Sequence, residues 1–416
     1  MRVTISSDYR YCQMPDGSVW TDGPCHFGFW TRYLAAFERV NVVARVSFVN
    51  DLTDSWRRAD GDGVQFSPLP YYLGPLQYLL RSRQVTQAAR QAVLPDDALI
   101  LNVPGQIASC LATALSPGRP YAVQVLGDPY DVFAPGVIRH PLRPFLRWWC
   151  SRRLRVQARH AAAALYVTQD ALQTRYPCPG HRVGVSDVDL PPEAFVTEPR
   201  PPQCVGDPLR IVSVGTMTQL YKGFDVLIDA VGQLVSTGLD VQLTLVGDGK
   251  HRPELEQQVR RLQLSDRVTF RGQLATGARV RAELDAHQLF VLPSRTEGLP
   301  RALVEAMARG LPCLASRVGG IPELLHPDDL VPPGDAAALA NAIRRVANNP
   351  ALQATMSQRH LERAADFQAD KLDQRRTAFY RQLFDQTQEW LARHTTTSPM
   401  LIANEAASRS VEEART

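Results

Sequence analysis

The chain has 416 residues, 44% of them hydrophobic and 21% charged, which is a globular balance and, at this length, suits two cores rather than one. A net charge of +4 is too small to imply nucleic acid, and only Lys222, Lys250 and Lys371 among the 46 basic residues are lysines, a bias that carries little functional weight. The seven cysteines form no C-x-x-C pair and have no histidine-rich neighbour, which argues for reduced thiols in the cytoplasm and against structural zinc.

Met1 leads directly into a strand over Val3 to Ser6, without the apolar core of a signal peptide. No run approaches the roughly 18 apolar residues that cross a bilayer. The expectation is a soluble or peripheral protein. The loop after the first strand carries Asp22-Gly23-Pro24, and Gly23 is either a phosphate-approaching glycine or an ordinary turn. A helix from about Phe27 to Arg39 and a strand from Val42 to Val49 follow. Asp60-Gly61-Asp62 has the spacing of a cation-binding pair but sits among glycines in a polar segment, which reads as a surface turn.

Leu73, Leu76, Leu79 and Leu80 keep helical spacing and predict a helix over 73–94. Strands over 98–103 and 121–126 enclose a helix over 107–115. The second strand closes on Gly127-Asp128-Pro129, which places Asp128 where a carboxylate can orient or deprotonate an acceptor hydroxyl, or else simply make an Asp-Pro turn. From Val132 to Gln169 there is no acid, while arginines from Arg139 to Arg159 punctuate Leu142, Phe145, Leu146, Trp148 and Trp149. Two readings stay open: an anionic membrane surface contacting 139–159, or a helix that buries its aromatics against the sheet and solvates its arginines.

The proline tract over 191–208 has no hydrophobic periodicity and reads as the interdomain connection. Leu209 to Gly215 is a strand, and a loop holding Lys222-Gly223 leads into a helix with apolar residues at helical spacing. A lysine there can neutralise a diphosphate. Val241 to Val246 runs into Gly247-Asp248-Gly249, and a strand over 267–270 precedes Arg271-Gly272-Gln273-Leu274. The apolar run from Leu289 ends at Pro293-Ser294. A helix begins near Pro300 and Gly310 ends it, so the first-turn N–H groups lie between Glu297 and Glu305 along the chain. Two carboxylates in that order can accept from the diols of a hexose and a ribose, with the helix start facing the diphosphate.

The segment Glu297-Gly-Leu-Pro-Arg-Ala-Leu-Val-Glu305 resembles the E-x7-E motif of the retaining GT-B glycosyltransferases of family 4, the glycosyl transferases of group 1. The likeness extends over about residues 209 to 350. It implies an α/β protein with two facing Rossmann-like domains, parallel sheets and an interdomain cleft. Residues 1–190 would bind the acceptor and 209–370 the nucleotide sugar, with 371–394 a helix crossing back to the first domain and 395–416 a disordered tail. The resemblance assigns catalytic roles to Glu297, Lys222 and Asp128, and donor contacts to Gly23, Lys222, Gly249, Arg271, Leu274, Glu297, Gly298, Leu299, Pro300, Arg301 and Glu305. Relatives carry an arginine where this chain has Thr216 and Met217, and Arg301 is the substitute to examine. No metal and no cofactor beyond a UDP-, GDP- or ADP-linked sugar is implied. The arginine-rich segment alone suggests as acceptor a glycan or lipid-linked oligosaccharide of surface polysaccharide assembly, and the expected location is the cytoplasm or the inner face of the cytoplasmic membrane. The other classes are a non-catalytic sugar-nucleotide or membrane-binding protein, hinted at by the missing arginine, and a dinucleotide-dependent oxidoreductase, disfavoured because neither half shows G-x-G-x-x-G after its first strand.

Overall fold

The computed structural model describes residues 1–395 except 54, 135–139, 203–206 and 276. The expected disorder of the tail, and Arg139 in the arginine-rich segment, lie outside the described residues. Short β-branched and aliphatic runs form two sheets. In the first, β1 (Arg2–Gln13), β2 (Val19–Thr21), β3 (Arg39–Phe48), β4 (Arg57–Arg58), β5 (Val64–Leu69), β6 (Ala98–Val103), β7 (Ala122–Val125), β8 (Ala163–Tyr166) and β9 (His181–Gly184) pair in the order β4-β2-β1-β6-β7-β8-β9, with β3 between β1 and β5. Only the β2 pairings are antiparallel. In the second, β10 (Leu209–Val214), β11 (Val241–Val246), β12 (Val268–Gly272), β13 (Leu289–Leu292), β14 (Cys313–Ser316) and β15 (Leu330–Val331) are all parallel, in the order β12-β11-β10-β13-β14-β15.

The period of two along a strand divides β13 between two cores: Leu289 and Val291 face one helical layer, and Phe290 and Leu292 the other. That is why the strand reads as an unbroken apolar run. Two Rossmann-like α/β domains in the GT-B arrangement result, with the carboxyl ends of their parallel strands bearing the loops singled out above.

Local differences from the sequence reading have physical causes. β1 continues past Ser6 to Gln13 through an irregularity between Ser7 and Arg10, because its end pairs with both β2 and β3. The helix foreseen over 27–39 is one turn, Phe27–Trp30, then a 3-10 segment, Thr31–Ala35, and β3 already begins at Arg39. In the Gly74–Ala92 helix the buried residues are Val85 and Ala89, whereas Leu73, Leu76, Leu79 and Leu80 face water. Asp60 ties its turn to β2, accepting from the Val19 amide at 3.0 Å and from Arg58 at 3.1 Å.

The chain crosses between domains twice, at Leu190 and at Gln368, and these crossings bond to each other. Beyond the second crossing, the Ala369–Thr395 helix places Leu372, Phe379, Tyr380 and Leu383 in the core of the first domain. The proline tract does not swing free. Arg200 donates to the Arg309 carbonyl at 2.7 Å and to Asp285 at 2.5 Å, holding the tract on the second domain.

Candidate active site

Lys222 and Glu297 lie 75 positions apart, and the parallel order of β10 and β13 brings them together at adjacent strand ends. Lys222 Nζ stands 2.7 Å from Glu297 Oε1, and the buried Ser294 hydroxyl donates to the same oxygen at 2.6 Å. The Glu297 side chain is 8% exposed. Its Oε2 accepts from nothing among the described residues. This fixes the carboxylate in one orientation, with one oxygen anchored and one available to a hydroxyl.

The loop that delivers Lys222 depends on Gly223, which has φ +72°. A Cβ there would run into the Pro293 carbonyl oxygen at the end of β13. Glycine therefore lets the lysine loop lie directly on the motif strand. Arg295 then pins the loop from the other side, with a two-nitrogen fork on Asp225 at 2.9 and 2.6 Å and a bond to the Leu220 carbonyl. Ser294, Arg295 and Asp225 drew no role from the sequence. The Ser294–Glu297 spacing was a usable signal; the Arg295–Asp225 pair, 70 positions apart, offered none.

Pro300 is the N-cap of the Arg301–Ala308 helix, and no side chain caps it. The helix ends in a Schellman turn, in which Gly310 at φ +68° bonds to Met307 and Leu311 bonds to Ala306. Glu305 lies in the second turn. Its side chain makes no hydrogen bond or ion pair among the described residues, and burial raises its carboxyl above the ordinary range, opposed by Arg301 and Arg281. The site thus holds one carboxylate tied down and another waiting, on either side of an uncapped helix start. Gly298 accepts from the Gly320 amide at 2.9 Å, while Leu299 and Leu274 pack on the second core face. Gly249 presses against the Met217–Thr218 backbone, and Arg271 pairs with Glu283 at 3.2 Å.

Three candidates are placed differently from the roles given to them. Asp128 is not a free base: it caps a short helix through the Tyr130 amide at 2.9 Å, accepts from the Tyr176 hydroxyl at 2.5 Å and is paired with Arg175. The Gly23 amide is already donated to Thr21 Oγ1 at 3.0 Å, so it does not face a phosphate. Arg301, half-exposed, donates across the cleft to the carbonyls of Asp187 and Asp189, at 3.3 and 3.4 Å, rather than lying beside Thr216 where relatives carry their arginine. The Thr216 loop is closed instead by a 2.8 Å contact between the hydroxyls of Thr216 and Thr218.

The sequence reading also passed over Asp187. It reaches solvent yet has protein around it, and burial raises its carboxyl against the opposing fields of Arg301, Arg376 and Arg32. Arg301 belongs to the second domain and Arg32 to the first, so Asp187 marks the cleft between them. On the first domain, a cavity of about 580 Å³ is lined by Asp8, Tyr9, Arg10, Gly23, Arg45 and Tyr71. Tyr9 feels Asp187, which connects that cavity to the cleft. Among the described residues no group of three His, Cys, Asp or Glu side chains converges.

Residues 208–349 match the family model described as Glycosyl transferases group 1. The chain is 30% identical over 273 residues to the 2-deoxystreptamine glucosyltransferase of Streptomyces kanamyceticus, an alignment covering 62% of this chain and 70% of that one. It is 37% identical over 175 residues to the putative colanic acid biosynthesis glycosyltransferase WcaL of Escherichia coli (strain K12), covering 40% of this chain and 42% of the relative. Among solved structures, Anabaena Alr3699/HepE in complex with UDP and glucose matches with a TM-score of 0.57 and 21% identity, over 90% of this chain and 98% of that one. That last likeness is one of fold.

Proposed function

This chain belongs to the group 1 glycosyl transferases, and we propose that it moves a hexose from a nucleotide diphosphate to a hydroxyl acceptor with retention and without a metal ion. The observation that carries the reading is Glu297, held by Lys222 and Ser294 beside an uncapped helix start, with Glu305 unpaired one turn further in. Glu297 Oε2 takes a hexose hydroxyl, and Glu305 takes the ribose diol. Lys222 and the first-turn amides meet the charge that develops on the diphosphate as the anomeric C–O bond breaks. The acceptor oxygen bonds to the anomeric carbon on the face the diphosphate leaves, and its proton passes to a phosphate oxygen. No protein base is required, which agrees with the engagement of both Asp128 oxygens.

The cavity beside Tyr9 and Tyr71 takes the acceptor, because aromatic faces beside arginines and carboxylates suit a sugar ring. A UDP-linked hexose is the first donor to test, given the UDP and glucose bound by HepE. WcaL, described as a colanic acid biosynthesis enzyme, supports a glycan acceptor in surface polysaccharide assembly, worked on from the cytoplasmic side. The test is calorimetric titration with UDP, GDP and ADP, followed by release of nucleotide from the matching hexose donors. Binding of one nucleotide, slow donor hydrolysis and an axial product linkage from an axial donor are expected. An inverted linkage, or no nucleotide binding, would overturn the reading.

A further inference from the structure

The first domain carries a face that none of its catalytic geometry uses. The Gly74–Ala92, Gln106–Ala112 and Arg143–His160 helices lie side by side on one side of the sheet, with the short helix in the middle. Tyr78 approaches Cys110 Sγ at 3.5 Å from one flank, and Arg153 and Gln157 bond to Gln106 and Ser109 at 3.1 and 3.2 Å from the other. Each outer helix turns its small and medium residues inward: Val85 and Ala89 on one, Leu154 and Ala158 on the other. Their large apolar residues point out. Leu76 is 77% exposed, Leu80 88% and Trp148 59%, and Leu79, Phe145 and Trp149 join them.

These exposed side chains lie in the first two turns of both helices. In a parallel α/β sheet those turns sit at the carboxyl ends of the strands, the edge that bounds the cleft. Exposure of Phe145, Trp148 and Trp149, with Leu154 and Ala158 buried in their place, contradicts the reading that this helix buries its aromatics against the sheet. An apolar patch of this kind on a soluble domain marks an interaction surface.

Charge says what covers it. No Asp or Glu occurs between Asp62 and Asp96 or between Asp131 and Asp170, yet Arg83, Arg90, Arg143, Arg152 and Arg159 lie on the two outer helices. Arg152 and Arg153 stand over the rings of Trp148 and Trp149, at 6.0 and 4.7 Å. Asp131 faces Arg147 and Asp8 faces Arg153 from neighbouring elements, but neither outer helix carries an acid of its own. Tryptophans flanked by arginines on one such helix and exposed leucines on the other suit a surface that offers phosphates above hydrocarbon.

We propose that this two-helix face docks on an anionic lipid bilayer, Leu76, Leu79, Leu80, Trp148 and Trp149 entering the headgroup boundary and the arginines meeting lipid phosphates. The leucine ridge begins just after Tyr71, which lines the cavity given above to the acceptor. An acceptor hydroxyl carried on lipid would therefore enter from the docked side. The surface deepens the proposed function but is measured without donor or turnover, so either can fail while the other stands.

The test is co-sedimentation of the full chain with vesicles of phosphatidylcholine alone or mixed equally with phosphatidylglycerol. The chain should sediment with the mixed vesicles, less so in high salt, and much less with phosphatidylcholine alone. Leu79→Ser with Leu80→Ser, and separately Trp148→Ser with Trp149→Ser, should each lower the partition at least about tenfold, and Arg83→Gln roughly fivefold. Far-ultraviolet circular dichroism and a cooperative thermal melt, matching the parent in each variant, establish that each still folds. Equal binding to both vesicle types, or variants that bind like the parent, would overturn the proposal. So would a concentration-dependent dimer that the tryptophan variant makes monomeric, because a second copy would then be the occupant.

Discussion

Glu297 and Glu305 differ in what each already holds, and that difference predicts opposite consequences of removing the Glu305 charge and of removing the Lys222 charge beside Glu297. Glu305 is half-buried and its side chain is not hydrogen-bonded among the described residues, so desolvation, only partly offset by Arg301 and Arg281, makes its folded form keep a proton to higher pH than the unfolded chain does. Its stabilising contribution is complete below the unfolded value and is lost as pH rises through the raised one. At neutral pH the charge therefore costs stability. Glu305→Gln should raise the unfolding midpoint by about 2 °C, the size that ~1 kcal/mol carries in a domain of this length, and flatten the acid side of the stability profile. The same change should weaken nucleotide binding about tenfold, because the ribose loses a charged acceptor. Parent affinity for the nucleotide should fall as pH drops through the raised value; a calorimetric series across pH checks both. Lys222→Met is the converse: it should lower kcat by roughly 10²-fold or more and also lower the midpoint, because it leaves Glu297 buried with only Ser294. Unchanged turnover in Lys222→Met would remove the charge-stabilising role.

The elements that carry these residues are set by short-range rules with one or two long-range conditions. A strand ending in Pro293-Ser294, an uncapped helix start and a terminal glycine follow from local patterning, and each is present. Gly223 is the long-range condition, since its positive φ and its closeness to the Pro293 carbonyl seat the lysine loop on β13. Gly223→Ala should destabilise the second domain by about 2 kcal/mol or more and lower turnover with it, read by thermal melt and initial rate. A melt within a degree of the parent would mean that the loop is free to move aside. The Gly74–Ala92 helix teaches the opposite lesson. Helical spacing of its leucines predicted the element correctly, but burial was decided by Val85 and Ala89. Periodicity finds a stripe; only the neighbouring helix says which stripe is covered.

Across the molecule a group of hydrogen bonds joins the two domains. Glu323, from the second domain, accepts the amides of Gln169, Asp170 and Ala171 at 2.5, 3.0 and 2.6 Å. Gly320 lies against Thr168 and Leu299 beside it. With the paired crossings at Leu190 and Gln368 on the same side, this carboxylate is a latch across the cleft. Glu323→Ala should open the donor-free protein, raising the radius of gyration in small-angle scattering, while nucleotide affinity, which rests on the second domain alone, stays within about twofold. A scattering curve identical to the parent's would show that other contacts hold the domains together.

What the sequence determined by itself were features whose cause lies within a few residues: parallel strands as apolar runs, the strand-loop-helix around Glu297, the glycines that end or enter helices, and through them the family. Backbone geometry alone dictates these, so any stretch of the chain carries them openly. What only the tertiary structure decided was partnership: that Lys222 and Ser294 share one oxygen of Glu297, that Asp128 is occupied by Arg175, Tyr176 and the Tyr130 amide, that Arg301 points at Asp187 and Asp189, and that leucines and tryptophans stand in water. Each joins residues or surfaces far apart in the chain, and strand order and helix packing, which set such neighbours, leave no periodic trace in either partner.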